Sequence, residues 1–568
     1  MKCFASCSTV IMKNIFLVFL SLVSFNITAQ VPVLVKDISP GPAPSMIGPS
    51  IAYNGNLIFT VSPGVLYPTT TQLWISDGSP SGTQFLKQFA PWGWNQFCFT
   101  LLNGKLYFAA SDSTHGDELW MTNGTVAGTQ MVLDILPGGR GAFYGFNESG
   151  VNKFATLGGK LYFVANDSLH GSELWVSDGT AAGTMMVVDI NPAPNASGAQ
   201  GEVVSANGML YFPANDGVHG VEMWTSDGTA TGSHIIKDLD TIGNNSSTIG
   251  NLIVFGDKVY FTENMYYPYD SIYTPPPSIN FCITDGTVGG TFILDTALTN
   301  TTDYAVLGGN LYFVGNGGLW VTDGTAIGTQ VVKTSLNSIC TGGAGTLFNP
   351  NSITALNSKL YFYSGGPTWV YQSQIWVSDG TPTGTEKLLV PDSNTTSDVV
   401  TYHFTDANGN LFFVGWDNTS YQWNLWKSDG TAGGTGIVPY SSAKPHFQFV
   451  DCDHGLGKMT LVDSVLYFGI EYDSLIGFEL YKLAINVGVP ETRGALNNIE
   501  IYPNPTENKI TIAALYPITS AAINNLLGQV VYNQQYNTDK VQIDVADLPA
   551  GIYLIRINGT EVRKFVKE

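Results

Sequence analysis

Charge is scarce in this chain. Asp, Glu, Lys and Arg make up only 12% of its 568 residues, and 24 Lys and Arg stand against 45 Asp and Glu, a net charge of −21. A partner presenting a phosphate backbone needs a basic face to neutralise it, so the balance argues against nucleic acid. Cysteine is scarce too, with six residues and no C-x-x-C pair. Cys3 and Cys7 fall in or before an export signal, and Cys98, Cys282, Cys340 and Cys452 follow no regular spacing. Two readings stay open for these four, one or two disulfides in an oxidising compartment or buried single thiols, and neither indicates a metal centre. Runs of Ala, Glu, Lys and Leu that build surface helices are few. Beyond the N-terminal segment no stretch has the length and apolarity of a membrane span.

What remains is a β-rich composition, with 63 Gly, 27 Tyr, 30 Phe and frequent Thr and Val. At the N-terminus Met12-Lys13-Asn14 precedes the apolar run Ile15 to Val23, and Ile27-Thr28-Ala29 offers a small residue before Gln30. A basic flank, a short hydrophobic core and a small residue at the cut describe a secretory signal over residues 1–29. The core is too short to cross a bilayer as a helix. The mature chain is therefore expected outside the cytoplasm.

Repetition dominates everything after it. The phrase L-[YF]-F and its variants begins at Leu57, Leu106, Leu161, Leu210, Val259, Leu311, Leu360, Leu411 and Leu466, at spacings of 49 to 55 residues. Asp-Gly turns follow at Asp77, Asp178, Asp227, Asp285, Asp323, Asp379 and Asp429, and the second unit has Asn123-Gly124 in that place. A fixed period near fifty residues signals a repeat architecture. Within one unit, residues 159–165 (GKLYFVA), 173–177 (ELWVS) and 185–190 (MMVVDI) each read as a strand, with a looser apolar segment, residues 152–157, before them. Asp-Gly suits a hairpin that needs positive φ. Four strands of five or six residues plus turns use about fifty residues, the size of a β-propeller blade. A parallel β-helix has shorter coils and no need of tight hairpins. Val33 to Ile38 resembles the last strand of a unit, while the final unit, after Phe478-Glu479-Leu480-Tyr481, lacks its own. The expectation is an all-β, closed propeller of eight or nine four-stranded blades over residues 30–486, its last blade completed by the N-terminal strand, which removes exposed edges. Propellers usually have four to eight blades, so nine literal units leave the number at eight or nine.

The recurring phrase resembles the ELWxxDGT repeat family, found in arrays on exported bacterial proteins. Units two to four carry a longer pattern, A-x-D-x-x-x-G-x-E-x-W, running Ala110/Asp112/Gly116/Glu118/Trp120, Ala165/Asp167/Gly171/Glu173/Trp175 and Ala214/Asp216/Gly220/Glu222/Trp224. It is similar to the tryptophan-docking motif of quinoprotein propellers, where the Trp wedges between blades. Trp74, Trp120, Trp175, Trp224, Trp320, Trp376 and Trp426 occupy this slot, with Cys282 in unit five and Tyr481 in unit nine. A slot filled in nearly every unit reads as packing, because a large flat ring buries area and sets blade spacing. The quinoprotein likeness raises an oxidase using pyrroloquinoline quinone, but no vicinal cysteine pair, calcium shell or catalytic Asp accompanies it. Each turn Asp reads as an acceptor for nearby backbone N–H groups. Ca2+ would use the same oxygens, but one Asp per blade gives no shared site. His115, His170 and His219, one per blade, read as turn residues rather than zinc ligands, and residues 451–454 (DCDH) as a loop.

Where units two to four carry a short N-D-x-x-H-G hairpin or its variant, other units carry aromatic inserts: residues 265–277 (MYYPYDSIYTPPP), 365–373 (GGPTWVYQS) and 415–423 (GWDNTSYQW). Equivalent connections project from one rim, so Tyr266, Tyr267, Tyr269, Trp369, Tyr371, Trp416 and Trp423 form a candidate surface for glycan stacking or a protein hot spot. Packing of the loops on one another is the competing reading.

Residues 487–498 read as a linker, and residues 499–568 as a small β-sandwich with Gly and Pro turns. Tyr502-Pro503-Asn504-Pro505, the mid-domain residues 527–531 (LGQVV) with Gly528, residues 548–554 (LPAGIYL) with Gly551 and Tyr553, and the basic tail Arg563, Lys564 and Lys567 resemble the type A sorting domain of type IX secretion. That resemblance implies handling by the type IX machinery, removal of the domain, and release or attachment at the cell surface. The function expected is a secreted or surface-displayed scaffold that binds glycan or protein. A surface polysaccharide hydrolase or lyase and a purely structural coat protein are the alternatives, since the fold excludes neither.

Overall fold

The computed structural model describes residues 31–40, 45–64, 70–90, 97–138, 141–143, 154–239, 248–265, 278–296, 304–315, 318–334, 353–364, 374–388, 401–417, 422–439, 459–473, 477–485, 500–502, 505–525, 529–558 and 561–568. The chain divides into two compact units, Met1–Asn486 and Val487–Glu568. Among the described residues the first unit consists of nine four-stranded antiparallel sheets and no helix.

Unit three shows how the sequence makes one sheet. Its strands are Ala155–Leu157, Lys160–Asn166, Ser172–Ser177 and Met185–Val188, hydrogen-bonded in that order. The two middle strands are buried along nearly their whole length, so both faces are apolar and the sequence alternates only weakly. The fourth strand is short, and register slips where it passes between Leu174 and Trp175. The same slip recurs beside Trp74, Trp120, Trp224, Cys282 and Trp320. A slip on a short outer strand breaks up an edge that would otherwise invite pairing with other chains.

Apolar residues fill the space between consecutive sheets. Tyr107, Ala109, Leu119 and Met121 of unit two form one cluster with Leu161, Phe163, Ala165 and Trp175 of unit three. Eight further clusters of this kind each join two sheets. One of them sets Val35, Val462, Tyr467 and Leu480 of the ninth sheet against Ile47, Leu57, Phe59 and Val61 of the first. The ninth sheet has the order Val33–Lys36, Gly477–Ala484, Val465–Asp473, Thr460–Val462, so the N-terminal strand supplies its outer position. Leu34 pairs with Tyr481 across that junction.

The second unit is one five-stranded sheet. Lys509–Asn525 and Val530–Asp544 are long strands paired in two stretches, with a break in register between Ala513 and Ile518. The earlier stretch also pairs with Glu500–Tyr502 and the later one with Gly551–Ile557. Ile510, Ile512, Ile523, Val541, Ile555 and Phe565 form its core.

Candidate functional site

The turns are built alike in the first eight units, with Asn123 standing for the aspartate in the second. Asp178 Oδ1 accepts the backbone N–H of Thr180 at 2.9 Å and its hydroxyl at 2.7 Å, which hold the exposed carboxyl below the usual range. Ser177 Oγ lies 2.7 Å from Thr184 Oγ1 and receives the Gly179 N–H. Gly179 has φ +89°, and a Cβ there would fall on the Tyr107 hydroxyl of the preceding unit. A Cβ on Gly183 would fall on the Asp178 carboxylate. Both glycines of the phrase thus answer to close approach, and the turn carboxylate is spent on its own loop.

The second hairpin of units two to four holds an Asp–His pair. Nδ1 of His115, His170 and His219 lies 2.7 Å from Oδ2 of Asp112, Asp167 and Asp216. The hydrogen bond donated to the Asp112 carboxylate raises the His115 pKa, and the other two histidines behave alike. Burial acts to raise Asp112, but the bonds from His115 and Thr114 outweigh it and keep the carboxyl low. Among the described residues no group of three or more His, Cys, Asp and Glu is placed to hold a metal ion.

The glutamates of the E-x-W phrase do something the sequence did not reveal. Glu118 is fully buried, and its carboxylate accepts the N–H groups of Ile135, Leu136 and Ala142 at 2.9, 3.1 and 3.0 Å. Those residues belong to the crossover from the fourth strand of unit two toward unit three. Glu173 accepts Ile190 and Gly198 in the same way. Glu479 accepts Ile38, Ser39 and the Ser45 hydroxyl, tying the N-terminal segment to the ninth sheet. Burial pushes all three up to about 7 against the pull of these bonds. Perturbed carboxyls often mark catalysis, yet here they face backbone N–H groups inside the sheets.

The tryptophans lie between sheets. Trp120 packs with Tyr53, Leu73 and Phe89 of unit one, and Lys87 sits 4.8 Å above its ring. Trp175 joins the unit-two cluster, Trp376 that of unit six and Trp426 that of unit seven. Trp74, Trp224 and Trp320 are partly buried against the corresponding clusters. Cys282 and Tyr481 take the same position in units five and nine. Cys282 is a buried free thiol and Cys98 is half-buried, whereas Cys340 and Cys452 lie outside the described residues.

A cavity of about 360 Å³ opens on the first strands of units two, three and four. Phe99, Leu101, Phe154 and Val204 line it with the hydroxyl residues Thr100, Thr156 and Ser205, so polar and apolar surface share its wall about equally.

Of the candidate aromatic surface, Tyr266, Tyr267, Tyr269, Trp369 and Tyr371 lie outside the described residues. Trp416 and Trp423 are on the strands Asn410–Asp417 and Gln422–Ser428 and stand directly opposite each other in register. In the second unit Tyr502 and Gly551 are exposed and Tyr553 is buried, its ring stacked on Phe565 and its hydroxyl donating to Pro549 O at 2.8 Å. Pro505 is exposed, and Pro503, Asn504 and Gly528 fall outside the described residues.

Residues 500–568 match the secretion system C-terminal sorting domain. A type IX sorting tail of this kind assigns the chain to the secreted or cell-surface proteins and to the type IX secretion machinery. No curated protein matches the chain. Among solved structures, a puromycin hydrolase is 12% identical at TM-score 0.34, covering 66% of this chain and 58% of its own, so the chain spans less than two thirds of that protein. PorZ, a surface component of the type IX secretion system of Porphyromonas gingivalis, is 12% identical at TM-score 0.21, over 92% of this chain and 82% of its own. The β-propeller domain of the Trilobed protease from Pyrococcus furiosus is 10% identical at TM-score 0.32, over 70% and 99%. These neighbours are propeller-like, and at such scores none of them lends this chain a function.

Proposed function

We propose that the nine sheets close into a nine-bladed β-propeller of the ELWxxDGT type, displayed at the cell surface, that binds a glycan or a protein through one rim. Support for closure comes from the strand Val33–Lys36 lying in the last sheet and from the cluster shared by the ninth and first sheets. The binding role rests on one observation. The hairpin between second and third strands differs from unit to unit, and unit eight extends it to place Trp416 opposite Trp423 in register. Paired aromatics at a strand end suit the flat face of a sugar or an apolar side chain. The carboxyls with displaced titration are already occupied by crossover N–H groups, which favours binding over hydrolysis.

The test is a glycan array and a cell-surface capture with the exported chain, beside the triple variant Trp369→Ala, Trp416→Ala, Trp423→Ala. Retained binding in the triple variant removes the rim from the proposal. Release of reducing ends from a polysaccharide by the wild-type chain would replace the binding reading with the hydrolase or lyase.

A further inference from the structure

In four of the nine units a glutamate of an inner strand lies beside the aspartate that immediately follows the outer strand paired with it. Leu119 pairs with Leu133, which sets Glu118 beside Asp134. By the same register Glu173 meets Asp189, Glu222 meets Asp238, and Glu479 meets Asp37 of the N-terminal strand. Units with Gln72, Asn280 or Gly318 in the glutamate position have Gln88, Thr296 or Thr334 across from it. The two carboxyls therefore occur as a pair. Like charges directly opposite destabilise a sheet, and burial strengthens the repulsion. Glu118, Glu173, Glu222 and Glu479 are all fully buried.

The hydrogen bonds indicate how the repulsion is relieved. In each unit Oε2 of the glutamate accepts the N–H of the residue just after the facing aspartate: Ile135 at 2.9 Å, Ile190 at 3.1 Å, Leu239 at 3.2 Å and Ile38 at 2.9 Å. That bond brings Oε2 up to the backbone of the aspartate itself. Oδ1 of Asp37, Asp134, Asp189 and Asp238 is buried and has no donor. The same orphaned acceptor recurs in all four units, at a cost that a nearby O–H would remove.

We propose that each of these pairs shares one proton, held on glutamate Oε2 and donated to aspartate Oδ1, so that four units carry a proton-binding site at the joint with the following unit. Carboxyl pairs that cannot both ionise behave in this way. The titration of Glu118, Glu173 and Glu479, pushed up to about 7, is in keeping. Other charged groups lie in the neighbourhood of these pairs. Asp112 and His115 lie on the neighbouring hairpin of unit two, Asp117 precedes Glu118, and Lys87 reaches over from unit one. Asp167–His170 and Asp216–His219 take the hairpin places in units three and four, and Cys282 of unit five faces Glu222. In unit nine Lys36 and Lys482 flank the pair but turn to Thr83 O and Gly78 O. Loss of the proton leaves two anions beside the crossover and loosens its anchor. The folded state binds the proton more tightly than the unfolded chain, so this stability is complete below about pH 4.5 and is lost as pH rises through about 7.

The full chain is melted between pH 5 and 8 beside the triple variant Glu118→Gln, Glu173→Gln, Glu479→Gln, whose amide N–H groups replace the shared protons. The wild-type Tm falls across that range, and the triple variant loses most of this slope. Asp134→Asn, which leaves the crossover bonds of Glu118 intact, shallows the slope in the same direction and serves if the triple variant does not fold. Infrared difference spectra show a carboxylic-acid C=O band at pH 5 that disappears by pH 8 and is diminished in either variant. A flat wild-type profile, or variants as steep as wild type, overturns the proposal. So does a Tm gain from Ca2+ at pH 8 that the variants abolish, since a cation would then occupy the site.

Discussion

The hydroxyl of Tyr467, in the second strand of unit nine, occupies the place where Gly78, in the turn of unit one, would carry a Cβ. The same contact links Tyr107 to Gly179, Tyr162 to Gly228 and Tyr361 to Gly430. A tyrosine in one unit thus reads the turn of the next, and the last unit reads the first.

Gly78→Ala is expected to lower stability through both an unfavourable φ of +85° and collision with Tyr467. Gly104→Ala is the control, since φ is +74° there and nothing lies within reach of a Cβ. Strain alone costs about 1–3 kcal/mol, so a larger Tm loss for Gly78→Ala in thermal melts measures the junction between units nine and one. Equal losses would mean that this contact contributes nothing.

Trp175→Ala should destabilise by about 3–5 kcal/mol, the range for truncating a large buried aromatic. Its ring fills the space between units two and three, at 8% exposure. Trp175→Phe should recover part of the loss. Chemical denaturation followed by fluorescence reads both, and a Trp175→Ala curve that superposes on wild type would remove the residue from the packing.

Cys282 should resist thiol reagents in the native protein. Cys282 is fully buried, and burial drives its thiol pKa far upward, with Glu263 adding to the effect. A thiolate is the reactive form, so a maleimide should label Cys282 only after denaturation. Peptide mapping by mass spectrometry compares Cys282 labelling in the native and denatured protein.

A reporter fused to residues 487–568 should leave the cell only when type IX secretion is intact. Tyr553→Ala should reduce that export, because the ring is buried on Phe565 and the hydroxyl closes onto Pro549 O. Export of the fusion from a strain lacking the pathway would contradict the assignment.

Much of this could be read from residues alone, for identifiable reasons. Leu-Tyr-Phe and Glu-Leu-Trp mark the two middle strands because both their faces are covered, and Asp178-Gly179 marks a turn because glycine adopts φ +89° there. The sorting tail was legible because several short motifs occur in order. The glutamates were not. Glu118 reads as a polar residue in a docking motif until the fold carries Ile135 and Ala142 back over its carboxylate. The clue was present in units two to four as a coincidence between positions sixteen residues apart, Glu in the third strand with Asp just after the fourth. A register slip between Leu119 and Trp120 hides that partnership from simple strand counting.

The strand Val33–Lys36 has a further consequence for how the protein comes to exist. Its partner lies more than 440 residues away, as the bond from Ile38 N–H to Glu479 records. Linear stacks of repeats can form one unit at a time as the chain emerges, and they fray from whichever end is uncapped. Here a strand made before the first eight sheets waits for partners made after them, so the ninth sheet forms only when the whole array has been synthesised. Until then the waiting strand offers an unsatisfied edge to any neighbour. Afterwards a single cut in a surface loop would leave the fragments held to one another.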